Sequence, residues 1–523
     1  MIMRIRGSYV AVALAFAIPV LFAQEAPAPQ PTSAKAAETK SSEAAQPKDE
    51  TSTTDHMIRL GTQTIAYKAT ASTTLLKNDK DEPVASIFSV AYTRSDIKEP
   101  SQRALAFIYN GGPGNASVWL HMGAFGPRRV VTQDAAPTGS GPYELIDNAN
   151  CLLDKSDLVF IDPVGTGFSR VVGKGDGKDY WGVDQDVNSL ADFIGIYISR
   201  NGRWNSPKFL IGESYGTLRS VALANYLQSQ RGIYVNGIAL ISTVLDMGTV
   251  EPDLGDDRSY IFHMPSYAAA AWYYKTLKNR PSSLTALLKD ARQWAATDYA
   301  EALMKGDALT EAEKSPIAKR LSDFTGLDED YILKANLRVD LGQFRAELQR
   351  KQGITVGRYD ARYSGPAYDL LAEYAEGDAS FYGVDGAFTA AINSYLRQDL
   401  KFDPNLTYET QNGDIGPKWD WKHKGTNPFR VSVDSDLVEA LISNPRLQVQ
   451  TENGLFDLAT PFFGTEFTMD HLHLPATLRS HITFKYYGSG HMIYLNAREL
   501  PKLKDNIAGL IDAATKPLDS TKE

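Results

Sequence analysis

The segment Gly212-Glu213-Ser214-Tyr215-Gly216 constrains this chain more than any other. It follows the apolar run Phe209-Leu210-Ile211 and leads into residues 218–227, which suit a helix. At a strand-to-helix turn this sharp, the positions two before and two after the serine favour residues without a Cβ. The serine is held in strained backbone with its Oγ above the sheet. Ser214 is the candidate nucleophile, and the fold must supply a strand, a tight turn and a helix in that order. In a chain with 40 glycines the pattern alone is weak, so its surroundings carry the weight.

Those surroundings alternate. Residues 63–70 and 83–93 are β-prone and separated by Lys77-Asn78-Asp79-Lys80-Asp81, which predicts an antiparallel hairpin. Buried strands are then predicted at 104–109, 158–162, 209–211, 237–241, 447–450 and 482–487, with helices at 185–199 and 215–228. Strands alternating with helices indicate a mostly parallel sheet covered on both faces. The alternation stops near Leu245 and resumes near Leu447. In between, residues 284–295, behind Ser282 and Ser283, and residues 331–352 keep helical spacing. The expected layout is a first core part at 56–246, a mainly helical cap insertion at 247–430, and a second core part at 431–516. A cap over the carboxyl ends of the strands would wall the ligand site, with aromatics such as Trp272 or Tyr273 setting selectivity.

Arg4 and Arg6 precede an apolar run over 9–23, too short for the roughly 20 residues of a spanning helix. It reads as a signal peptide ending at Ala23, so the expected location is periplasmic or extracellular. Residues 24–55 are rich in Ala, Pro, Ser, Thr, Lys and Glu and read as a flexible leader. Cys151 is the only cysteine, so no intramolecular disulfide can form. The net charge of -9 is scattered rather than blocked, which argues against nucleic-acid or anionic-membrane partners. Composition sets no oligomeric state.

A serine nucleophile needs a base, and of the eight histidines His491 is best placed. It lies in Gly488-Ser489-Gly490-His491-Met492, directly after the last predicted strand. The acid that orients it should precede it in the chain. Asp457, in Asn453-Gly454-Leu455-Phe456-Asp457, occupies that loop, with Asp470 as the alternative. Stabilising an oxyanion takes two backbone donors. One is the N–H of Tyr215, and the loop Asn110-Gly111-Gly112-Pro113-Gly114 is placed to give the other. His471 and His473 form a His-x-His pair without an evident third ligand, so neither metal nor organic cofactor is expected.

These segments, with Asp162-Pro163-Val164-Gly165-Thr166-Gly167-Phe168-Ser169, resemble as a set the serine carboxypeptidase family, a branch of the α/β-hydrolases. The resemblance implies an α/β-hydrolase fold and the triad Ser214, Asp457 and His491. It also implies Gly112 and Tyr215 as oxyanion donors, with peptides bearing a free C-terminus as substrates. Asn110, Gly111 and Glu213 would face the terminal carboxylate, and Met492 would line the pocket for the last residue. Three features depart from the family: Asn115-Ala116 replaces its Cys-Ser, the acid and base stand close in sequence, and Ala124 occupies the place of a carboxylate ahead of Gly126-Pro127. The same residues also fit an esterase or acyltransferase, or a binding protein that has lost catalysis.

Overall fold

The computed structural model describes residues 47–425 and 430–516. The signal peptide read at 1–23 and the leader up to 46 lie outside the described residues. The flexible leader expected over 24–55 does not extend to residue 55. Residues 51–55 belong to strand β1, Thr51–Leu60, which pairs antiparallel with β2, Gln63–Lys77, from Thr51 opposite Ser72. The predicted hairpin partner, β3, is Pro83–Arg94, and β2 runs on past Thr70 to meet it.

Six parallel strands follow: β4 (Ala104–Tyr109), β5 (Ser156–Ile161), β6 (Lys208–Glu213), β7 (Gly237–Ile241), β8 (Gln448–Gly454) and β9 (Ile482–Tyr487). The sheet order is β1-β2-β3-β5-β4-β6-β7-β8-β9, with the short strand Arg170–Val171 added to β3. Strands β4 to β7 are buried along their whole length, so they read as continuous apolar runs rather than alternating ones. Helices α1 (Val183–Arg200) and α2 (Tyr215–Arg231) pack Leu190, Ile194, Leu218 and Val221 onto one face. The C-terminal helix Leu500–Ala514 covers the other with Leu503, Ile507 and Ile511. Gly232 ends α2 in left-handed backbone (φ 63°), returning its N–H to the Leu227 carbonyl. Register aligns the strand ends: Tyr109 sits beside Gly212, and Ile241 beside both Glu213 and Glu452. Loops after four strands therefore open at one place.

Between β7 and β8 the chain builds helices, among them Arg258–Tyr274, Leu284–Trp294 and Glu311–Thr325, and the small hairpin Ile354–Val356 with Ser364–Pro366. The expected single helix over 331–352 is broken instead into Glu329–Lys334, Leu341–Glu347 and a short turn at Arg350–Gln352. Asn336 and Leu337 adopt positive φ, and Asp340 starts a new helix through a capping box with Gln343, accepting its N–H at 2.9 Å. The insertion has its own apolar core, including Leu288, Phe324 and Phe344. Phe456 and Leu458, from the loop after β8, and Phe462, which opens the helix Phe462–Asp470, are buried in that same core. Among the described residues no helix is long and apolar enough to cross a membrane.

Candidate active site

Ser214 stands at the tip of β6 with φ 61° and ψ −132°, a conformation that L-residues keep only where surrounding structure enforces it. Its N–H donates to the Ile241 carbonyl at 3.0 Å. A Cβ at Gly212 would strike the Gly216 carbonyl, and one at Gly216 would press on the Tyr109 carbonyl at 3.2 Å. The turn can close only with glycine at the first position and little more at the second. The loop after β4 lies directly on it: a Cβ at Gly111 would come within 2.5 Å of the Tyr215 nitrogen. The fully buried Arg219 on α2 fastens the two together. It donates to the Asn110 carbonyl and to Asp186, each at 2.6 Å.

His491 Nδ1 lies 2.8 Å from Asp457 Oδ2. Asp457 is fully buried and also accepts from the N–H of Ala459 (2.7 Å), the N–H of Thr460 (3.0 Å) and the Thr460 hydroxyl (2.7 Å). A carboxylate so committed holds the imidazole with its proton on Nδ1, leaving Nε2 free to accept a proton. Burial pushes the His491 pKa down. The charge and hydrogen bond of Asp457, with Glu213 nearby, outweigh it and hold the pKa above the ordinary value. Asp470 is exposed and paired with Arg479 instead. His471 donates from Nδ1 to the Phe467 carbonyl at 2.7 Å.

Glu213 is buried next to Ser214. Its Oε1 accepts from the Asn110 amide at 2.7 Å and from the Tyr494 hydroxyl at 3.3 Å, while Oε2 has no partner among the described residues. Burial pushes its pKa up to about 7, against the pull of His491, Tyr494 and Asn110. Ala124 sits within the buried turn Leu120–Phe125. Asn110, Gly111, Gly112, Glu213, Ser214, Tyr215, His491 and Met492 all line one cleft.

The insertion reaches this cleft in a way the sequence did not suggest. Segment 358–362 is threaded between the loops that carry Asp457 and His491. The Tyr359 carbonyl accepts the His491 N–H at 2.6 Å, and the Arg358 carbonyl accepts from Leu458 at 3.1 Å. Asp360 accepts the Gly490 N–H at 3.1 Å and pairs with Arg362 at 2.6 Å. Trp272 and Tyr273 are elsewhere: Trp272 donates to the Pro281 carbonyl, and Tyr273 packs edge-on to Phe456. The insertion's aromatics in the cleft are Tyr359, Phe381 and Trp421. Thr460, Tyr494 and segment 358–362 escaped the sequence reading. Only Thr460 and Tyr494 carried a signal, each three residues beyond a candidate triad member.

An open, mostly parallel sheet with a serine on a strained β6–α2 turn, and a histidine–aspartate pair on the loops after β9 and β8, defines an α/β-hydrolase. The serine carboxypeptidase family model matches residues 79–493, and the chain belongs to that family. Among solved structures, it is similar to the prohormone-processing carboxypeptidase Kex1(delta)p from Saccharomyces cerevisiae. The TM-score is 0.54 at 17% identity, covering 85% of this chain and 91% of that one. An N-acyl homoserine lactone degrading enzyme, Est816, matches with a TM-score of 0.37 at 11% identity, covering 83% of this chain and 99% of that one. No curated protein matches the chain.

Proposed function

We propose that the protein is an exported serine carboxypeptidase that removes residues from the C-termini of peptides through an acyl-enzyme. Ser214 Oγ attacks the carbonyl of the last peptide bond as His491 Nε2 takes its proton. The N–H groups of Tyr215 and Gly112 receive the oxyanion. On collapse the C–N bond breaks, His491 returns the proton to the leaving amine, and the terminal residue departs. Water then repeats the sequence on the ester and frees Ser214. The observation that carries this reading is the buried Glu213–Asn110 pair beside the nucleophile, with Oε2 unpartnered. Protonated, that oxygen can donate to a terminal carboxylate, a contact that simple ester hydrolysis does not need. The resemblance of residues 1–23 to a signal peptide supports export.

The loss of a carboxylate at Ala124 favours a second reading, an esterase or acyltransferase using the same acyl-enzyme. A mass-spectrometric time course on matched free-acid and C-terminally amidated peptides separates the two. Stepwise trimming of the acids alone is expected, and Ser214→Ala should lower it by about a millionfold. Ester turnover without trimming would refute the carboxypeptidase.

A further inference from the structure

The cleft holds a cation that the proposed chemistry leaves unused. Arg358 is half-buried and lines the cleft with the nucleophile and the base. Charged side chains withdrawn from water are ordinarily paired, and the neighbouring arginines obey that rule. Arg362 holds Asp360 and Asp134, and Arg345 approaches Asp378. Arg358 has no carboxylate within ion-pair distance among the described residues; its guanidinium lies 5.3 Å from the centre of the Tyr359 ring. Its backbone is fixed at both ends, with the N–H on Asp378 Oδ1 at 2.9 Å and the carbonyl on the Leu458 N–H at 3.1 Å. The next residue, Tyr359, grips His491. The side chain is thus rooted on a rigid strap beside the base and faces substrate space.

We propose that Arg358 is a specificity-determining residue that receives a carboxylate of the substrate, a reading that builds on the carboxypeptidase assignment. Ala124 leaves Glu213 without a second acid to share a proton, and above about pH 7 an ionised Glu213 would repel an anionic substrate. A guanidinium stays charged at every working pH and meets a carboxylate with two parallel N–H donors. The carboxylate is either the peptide's own terminus or an acidic side chain next to the scissile bond.

Calorimetric titration of the full-length Ser214→Ala protein tests this, with N-acetyl-Ala-Ala as the free acid and as the amide, and N-acetyl-Glu-Ala amide. With Arg358 present, one of the carboxylate ligands binds about tenfold or more tighter than the neutral amide. Arg358→Gln removes most of that ratio, leaving on a terminal carboxylate only what Glu213 and Asn110 contribute, and Arg358→Lys keeps more of it. Loss on the Ala-Ala acid assigns the terminus; loss on the Glu-Ala amide assigns the side chain. Equal weakening of all three ligands, or an unchanged ratio, overturns the proposal. Trimming by the unsubstituted protein is read separately: an Arg358-dependent ratio without trimming sinks the peptidase and spares the carboxylate site.

Discussion

Replacing Glu213 by Gln removes one titration from the cleft while keeping its shape. The carboxyl is 3% exposed and holds its proton to about 7, against an ordinary value of 4.5. The folded state therefore binds a proton that the unfolded state has already released in this window. Stability must fall as pH climbs from about 4.5 through 7, and above both values the cost is about 3 kcal/mol. Gln has no charge to desolvate, and it places an N–H₂ donor where Oε2 stands alone. In chemical denaturation, Glu213→Gln should match the parent near pH 4 and exceed it at pH 8 by about that amount. Activity follows the same titration. One pH unit above its pKa only about a tenth of the carboxyl is protonated, so peptide cleavage should decline about tenfold per unit on the alkaline side. The variant should lose that decline. The acid-side loss, set by protonation of His491, should remain in both proteins. A variant with the parent's alkaline decline, or one less stable than the parent at pH 8, would refute the reasoning.

Gly111→Ala should lower turnover of both peptides and small esters about a hundredfold or more, because a Cβ within 2.5 Å of the Tyr215 nitrogen displaces the N–H proposed to receive the oxyanion; steady-state kinetics check it, and normal turnover would count against an oxyanion hole at this loop. Asp360→Asn keeps the shape of the strap but weakens its hold on Arg362 and the Gly490 N–H. Hydrolysis of a small activated ester should then drop about a hundredfold with circular dichroism unchanged, and full ester activity would show that the insertion only walls the cleft.

The sequence exposed the parts of this molecule whose reasons are local. Strands β4 to β7 are buried along their length and announce themselves as apolar runs; Ser214 was legible from the glycine-flanked turn after one of them, and Asp457 and His491 from glycine-containing loops that follow it in the expected chain order. Strand β1 was hidden because Thr51 to Asp55 is polar, and its pairing is decided by the backbone of β2 rather than by burial. The helix expected over 331–352 failed where Asp340 and Gln343 form a start signal inside a helical period. Segment 358–362 has no period and no motif. Its meaning lies in hydrogen bonds to residues about a hundred or more positions away, which no local pattern encodes.

That segment changes how this scaffold can be re-engineered. A lid is usually treated as an exchangeable module, lifted from one member and set on another to alter selectivity. Here part of the insertion is built into the candidate site, since Tyr359 and Asp360 fasten the backbone at His491 and Gly490. A chimaera cut at the insertion boundaries would arrive with a foreign clasp on its histidine loop. Grafts that leave Arg358 to Arg362 native and replace only the outer helices should keep the reaction centre assembled while the portal changes.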